Sequence, residues 1–467
     1  MSIQHTRTRF APSPTGNLHI GSLRTAVYTY ALAKKNGGQF ILRLEDTDKK
    51  REVEGSAQKL YEVLKTFGLN WDEGPIVGGS FGPYIQSERL SLGQYKQAAE
   101  KLMSQGNAFY CFCKPQSKEE IKEGRKFKIE FRDPCRHLSS EQIQKNIAQG
   151  HVPAIRLKTP DNETISYTDF VLGKQTTWKT DVVDDAMLLK SDGFPTYHLA
   201  VVVDDTAMNI THVLRGHDWQ PSTPIHLLIY KYLNIPVPQI GHLTDILNTD
   251  GKGKLSKRNN NVSCEQYLND GYLPEALLNF VILLGWAPKD NQEMFTLEEF
   301  VSKFDPKGFQ KSNPRFDQRK LDWLNGQYLR KKQDDILADQ SRPFFPDFVS
   351  NTTISQIIPL TKERITKIKD IAELSRFVYE DINPDRSQIK KDLTQFALDA
   401  LTKSDWNKQS IESNLSQVAA DNTLQRREFF MNLRLVVSGQ KVTPPLTECM
   451  ILIGKEKVLS RLQNALK

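Results

Sequence analysis

The chain has 467 residues, 38% of them apolar and 9% aromatic, which is too long for one ordinary domain and enough to fill cores in roughly two to four. Five cysteines in that length exclude a disulfide scaffold, and no apolar run reaches membrane-spanning length. The net charge of +7 fits a polyanionic partner such as nucleic acid, and equally a slightly basic soluble protein.

Met1-Ser2-Ile3-Gln4-His5 is neither a secretory h-region nor an arginine-rich presequence, so the cytoplasm is the expected location, with an organellar protein whose presequence has been removed as the alternative. Residues 6–10 read as a strand and 18–35 as a helix, with Leu23, Val27, Tyr30 and Ala31 on its apolar stripe. Gly37-Gly38 ends that helix. A second strand, 39–44, delivers Glu45-Asp46-Thr47-Asp48 to its C-terminal edge. Strand, crossover helix and strand make a parallel unit, whose ligands sit beyond the C-terminal strand ends. Residues 74–83, rich in Gly and Pro, mark an exit from the nucleotide fold into an inserted module at about 87–183. It contains a helix near 92–105, a cysteine cluster and strand-like runs at 154–158 and 165–171. The sheet is expected to resume at 186–190, followed by a helix from His198 and a strand at 210–214. Beyond Arg258 the pattern turns helical. Residues 275–284 and 316–328 are helical, and Thr296 begins a helix with Glu298 and Glu299 in its first turn.

Two segments carry the chemistry. Arg9-Phe10-Ala11-Pro12-Ser13-Pro14-Thr15-Gly16-Asn17-Leu18-His19-Ile20-Gly21-Ser22 lies between the first strand and helix. Pro12 and Pro14 fix the chain, while Gly16 and Gly21 permit close backbone approach. Helix N-terminal amides receive phosphate oxygens, and His19 stands beside them. Lys254-Leu255-Ser256-Lys257-Arg258 follows Gly251 and Gly253 and puts three cations and a hydroxyl into a loop. Neither a phosphate loop of the Gly-Lys-Ser/Thr type nor a dinucleotide fingerprint is present. Cys111-Phe112-Cys113 and Cys135-Arg136-His137 supply four ligands suited to tetrahedral zinc, whereas Cys264 and Cys449 stand apart and read as core.

The two segments resemble the histidine-glycine and Lys-Leu-Ser-Lys-Arg signatures of class I aminoacyl-tRNA synthetases, and their flanks resemble the glutamyl-tRNA synthetases of bacterial type. The resemblance runs from Arg9 to near Leu466. It implies an α/β Rossmann-like catalytic domain with an α+β insertion, then all-helical anticodon-binding domains. The expected boundaries are 1–86 and 184–258 for the catalytic halves, 87–183 for the acceptor-binding insertion, 259–330 for a helical stem-contact domain, and 331–467 for an anticodon-binding region of two subdomains.

The resemblance also implies the site. Pro12, Thr15, Gly16, His19, Gly21, Lys254 and Lys257 would bind ATP, and His19, Lys254, Ser256, Lys257 and Arg258 would act in catalysis. Arg9, Ser13, Glu45, Tyr197 and Arg215 would hold L-glutamate. Cys111, Cys113, Cys135 and His137 would hold a structural Zn²⁺, and Mg²⁺ would accompany the triphosphate. The implied reaction activates glutamate to glutamyl-adenylate and transfers it to the terminal adenosine 2′-hydroxyl of tRNAGlu, with tRNAGln open as a second acceptor. A monomer is expected. Basic residues from Lys114 to Lys128 would position the tRNA backbone. Three positions depart from the family pattern: Ser22 replaces a histidine, Val201 an asparagine and His217 an acid. The Val201 change removes a polar contact expected near the glutamate side chain. A glutaminyl enzyme and a non-catalytic RNA-binding descendant are the rivals.

Overall fold

The computed structural model describes residues 5–48, 51–113, 132–255 and 262–467. They form two compact units: residues 1–266 with 278–317, and residues 267–277 with 318–467. The segment 259–330, expected as one module, contributes to both.

In the first unit β1 (Arg7–Phe10), α1 (Ile20–Lys35) and β2 (Gln39–Leu42) make the expected parallel crossover. After α2 (Ser56–Thr66) the chain leaves for the insertion. Its first elements are α3 (Gln94–Ser104), β3 (Ala108–Cys111), α4 (Ser140–Ala148) and β4 (Ala154–Leu157). The hairpin β5 (Thr164–Asp169) and β6 (Lys174–Lys179) and the strand β7 (Met187–Leu189) follow. α5 (Tyr197–Ala207), β8 (His212–Gly216), α6 (Thr223–Leu233) and β9 (Gln239–Leu243) complete the core. The parallel sheet has the order β2-β1-β8-β9.

The return to that sheet differs from the expectation. β7, within the run 186–190, pairs antiparallel with β4 in the sheet β3-β4-β7. Leu188 is fully buried among Leu157, Leu199 and Ile225, so its apolar run serves the insertion's core. The parallel sheet resumes only at β8. α1 also differs from a single-stripe helix. It is buried nearly all round, because Tyr28 on its far side packs against Phe300, Phe304 and Phe309. Thr296 caps a helix at Leu297–Lys303 through a capping box with Glu299, as expected.

The second unit is helical and holds two apolar clusters. One gathers Ile358, Ile371, Phe377 and Cys449, and the other Leu393, Phe429, Leu433 and Leu462. Cys264 and Cys449 are both buried, as their isolation in the sequence suggested.

α5 carries two adjacent buried acids, Asp204 and Asp205. Asp204 Oδ1 accepts from Arg89 Nε at 2.7 Å, and both its oxygens accept from Tyr95 Oη at 3.0 Å. Gln86 Nε2 donates to Oδ2 at 2.8 Å. Arg89 is 1% exposed, so removing its counter-ion leaves a buried, uncompensated guanidinium. Asp204→Ala is therefore expected to cost about 3–5 kcal/mol in denaturant unfolding, with Asp204→Asn between it and the wild type. Equal stability of Asp204→Ala and wild type would refute this account of α5.

Candidate active site

A cleft of about 1870 Å³ opens at the C-terminal ends of the parallel strands. The strand ends line it with Arg9 from β1, Glu45 just past β2 and Arg215 from β8, and Arg43 and His242 lie buried behind them. This is where an open parallel sheet binds ligands.

The Pro/Gly turn before α1 forms one wall. Gly16 lies at φ +119°, a conformation that a side chain strains. His19 is the N-cap of α1, its Nδ1 accepting from the Gly21 amide at 2.9 Å. That bond leaves Nε2 as the donor nitrogen of a neutral ring. The Ile20 amide donates to Val262 O at 2.9 Å, and the Cys264 amide donates to Leu18 O. The chain leaving the second signature is thus stitched to the first. On its other side Leu255 lines the cleft. Lys254 also lines it, pairing with Asp218 and, at 2.9 Å, with Asp245. Burial pulls the Lys254 ammonium down, and these two carboxylates more than reverse that, raising its pKa. Ser256, Lys257 and Arg258 lie outside the described residues, as do the basic residues from Lys114 to Lys128.

The floor is an ion network. Arg9 Nε donates to both oxygens of Asp205, at 3.0 and 3.1 Å. Arg43 donates to Asp205 at 2.7 Å and to Glu45 at 3.0 Å. Burial raises the Asp205 carboxyl, but Arg9 and Arg43 outweigh it and hold the group below the usual carboxylate range. Burial raises Glu45 against the pull of Arg43 and Arg9.

Arg215, 5% exposed, is held differently. Its Nε donates to His242 Nε2 at 3.0 Å, its Nη1 to Tyr197 Oη at 3.1 Å and to His226 Nδ1 at 3.0 Å, and its Nη2 to Thr223 Oγ1 at 2.8 Å. Arg215 and His242 are register partners across β8 and β9, which puts both side chains on one face. A guanidinium only donates, so both imidazoles face it with bare nitrogens. His226 then gives its Nε2 proton to His198 Nδ1 at 3.2 Å. His242 gives its Nδ1 proton to Asp169 Oδ2 at 2.8 Å. The β5 residue Asp169 reaches His242 because Gly241 has no Cβ. One built there would stand 2.6 Å from Phe170 and Val171.

Arg9, Glu45, Tyr197 and Arg215 are thus brought into one cleft, with Ser13 on its rim. Sequence reasoning missed Arg43, Asp205, His226, Thr223, His242 and Asp169. The available signal was the polar residue inside an apolar run, in Val202-Val203-Asp204-Asp205 and Pro224-Ile225-His226-Leu227. Val201 is 3% exposed and packs in the apolar cluster with Leu188 and Ile225, on the face of α5 that also carries Tyr197 and Asp205.

These positions decide the family. A model of the class I tRNA synthetase (E and Q) catalytic domain matches residues 5–323, and one of an anticodon-binding domain matches 336–466. The chain belongs to the class I tRNA synthetases of the E and Q type. It is 40% identical to the glutamate–tRNA ligase of Borreliella burgdorferi over 98% of each chain. It is 41% identical to that of Dehalococcoides mccartyi over 98% of this chain and 97% of the relative. Its fold matches a glutamate tRNA ligase of Elizabethkingia meningosepticum, solved with its amino acid, at a TM-score of 0.88 with 34% identity over 99% of both chains.

The cysteine cluster lines the same cleft. Among the described residues, ligand atoms of Cys111, Cys113, Cys135 and Asp133 lie within 4.8 Å of one another. Three thiols and a carboxylate suit a tetrahedral dication. His137 is not among the four. Cys135 and His137 are two residues apart on the 3₁₀ turn Pro134–His137, whose three residues per turn set them on different faces. Asp133 takes the place as the turn's cap, accepting from the Cys135 amide at 2.9 Å. Burial and the neighbouring Cys135 and Cys111 thiols push the Cys113 thiol up to about 12, a state that a bound cation would reverse.

The imidazoles around Arg215 are kept neutral. Burial first, then Arg215, lowers His198 to about 4 and holds His226 well below its usual range. In the unfolded chain these groups take up protons near pH 6.5, so the folded state loses relative stability as pH falls from there toward 4. His198→Gln should lose about 1 kcal/mol less stability than the wild type between pH 7.5 and 5.5. Identical pH dependence in denaturant unfolding would contradict the neutral-histidine assignment.

Proposed function

We infer that the chain activates L-glutamate with ATP and transfers it to tRNA. The observation that carries this reading is Arg215, a buried guanidinium at the base of a nucleotide-type cleft and ringed by neutral acceptors. Four of its five N–H groups are given to those acceptors, and the remaining Nη2 N–H can donate to a substrate carboxylate with the full charge of the group behind it. Glu45, which lines the same cleft and pairs on one side with Arg43, is assigned to the substrate ammonium. The glutamate α-carboxylate attacks the α-phosphorus of ATP, the bond to the pyrophosphate oxygen breaks, and glutamyl-adenylate and pyrophosphate form. The 2′-hydroxyl of the terminal adenosine then attacks the acyl carbon. AMP leaves and the hydroxyl proton is released. His19, through Nε2, and the amides opening α1 are suited to phosphate oxygens. Lys254, Lys257 and Arg258 are assigned to charge developing on the departing pyrophosphate, Ser256 to a hydroxyl contact there, and Pro12, Thr15, Gly16 and Gly21 to the nucleotide. Mg²⁺ enters with ATP as part of the nucleotide substrate. Ser13 and Arg9 complete the amino-acid site. tRNAGlu is the expected acceptor, with tRNAGln a second one to be tested. A cytoplasmic monomer is the proposed state, and the five-part domain division proposed above is kept for tRNA contacts.

tRNA-dependent exchange of pyrophosphate into ATP with glutamate, and not glutamine, as the amino acid tests the reading. Lys257→Ala should slow that exchange about 10²-fold, or about 3 kcal/mol, with little change in tRNA affinity. A wild-type rate in that variant would remove Lys257 from the reaction.

Zinc, if held by the three thiols with Asp133 or His137 as the fourth ligand, would pin the turns at Cys113 and Cys135 without activating water. Protein purified without chelator should contain about one zinc per chain, and Cys135→Ser should lose it and loosen the insertion to proteolysis. No zinc in the wild type, and no gain in protease resistance on adding it, would refute the site.

A further inference from the structure

The charged groups on the cleft floor sort into a balanced set and one excess cation. Arg9 and Arg43 share Asp205, Arg43 also pairs with Glu45 and, at 3.9 Å, with Asp204, and Asp204 pairs with Arg89, so three guanidinium groups face three carboxylates. Arg215 has four side-chain partners and every one is uncharged: His242 Nε2, Tyr197 Oη, His226 Nδ1 and Thr223 Oγ1. No carboxylate of the described residues lies within ion-pair distance of it. The nearest in its network is Asp169, one imidazole away behind His242. That carboxylate is already occupied by the Val171 and Leu172 amides at 2.9 Å and by Tyr167 Oη at 2.9 Å.

This arrangement is not what packing alone would select. A buried guanidinium is most simply satisfied by a carboxylate. At His226 and Thr223 a glutamate or aspartate would reach the same nitrogens and bring a counter-ion. The structure instead uses acceptors that orient the guanidinium plane without cancelling its charge. The tautomers enforce this, because the protons of both imidazoles are committed on the far side, to His198 and to Asp169.

We propose that His226 and Thr223 are specificity-determining positioning residues. By holding Arg215 only through uncharged acceptors, they reserve its charge for the side-chain carboxylate of the substrate. The proposal rests on the glutamate-activating reading above. It adds that the preference for an acid over its amide comes from what is withheld from Arg215, as well as from Arg215 itself. An amide substrate supplies an oxygen acceptor but no charge, so it leaves the buried cation uncompensated.

The test is tRNA-dependent pyrophosphate exchange by the full chain with glutamate, alongside its KM for ATP and its thermal midpoint. His226→Glu supplies a carboxylate of similar reach, and Thr223→Asp does so from another side should His226→Glu fail to fold. Each is expected to raise the glutamate KM about 100-fold, with the ATP KM and the thermal midpoint near wild type. His226→Gln, which keeps a neutral acceptor, should hold the glutamate KM within about fivefold. The proposal is overturned if a folded acidic variant keeps the wild-type glutamate KM, or if His226→Gln loses glutamate as badly as His226→Glu. Absence of glutamate-dependent exchange in the wild type would count instead against the functional reading itself.

Discussion

The cleft depends on one buried interaction, the adjacent carboxylates of Asp204 and Asp205 meeting three arginines from three other segments. Asp205 takes Arg9 from β1 and Arg43 from beyond β2, and Asp204 takes Arg89 from the segment that enters the insertion. Burying ions costs several kcal/mol each, and pairing offsets that cost only when the geometry is good and the remaining hydrogen-bonding atoms are satisfied. Here Tyr95, Gln86 and Glu45 satisfy much of the remainder. The network is therefore better understood as fixing positions than as adding stability. It ties α5, which packs in the insertion's core, to β1 and the end of β2 at the cleft.

From that anchor the division of labour follows. Arg9 and Arg43 are electrically spent on Asp205 and Glu45, and they shape the floor. Arg215 sits one strand away with only neutral partners and keeps its charge. The hairpin β5–β6 of the insertion reaches the same group through Asp169 and His242, so the insertion helps position Arg215 in the cleft. The Pro/Gly turn before α1 and the segment from Val262 meet on the opposite wall, bringing together residues about 240 positions apart in sequence.

Much of this was legible in the sequence where local chemistry decides the outcome. The Pro/Gly turn before α1, the strands β1 and β2, the capping box at Thr296 and the family signatures all carry their meaning within a few residues. The misreadings came where tertiary context decides. The run 186–190 has the composition of a buried strand, but composition does not say which sheet it joins. At the cysteine cluster the same context adds a candidate that spacing did not offer, since Asp133, the cap of the turn that holds Cys135 and His137, stands among the three thiols. The histidines around Arg215 carried no local motif, since their role exists only across the β8–β9 register and the helix behind it.

The account's central claim is that the excess positive charge at Arg215 selects a substrate bearing a side-chain carboxylate. The most direct measurement is charging of purified tRNAGlu and tRNAGln with labelled glutamate and labelled glutamine, side by side. Acid-stable label on tRNA from glutamate, and none from glutamine on either tRNA, is the predicted result. Label from glutamine, or from neither amino acid, would contradict it.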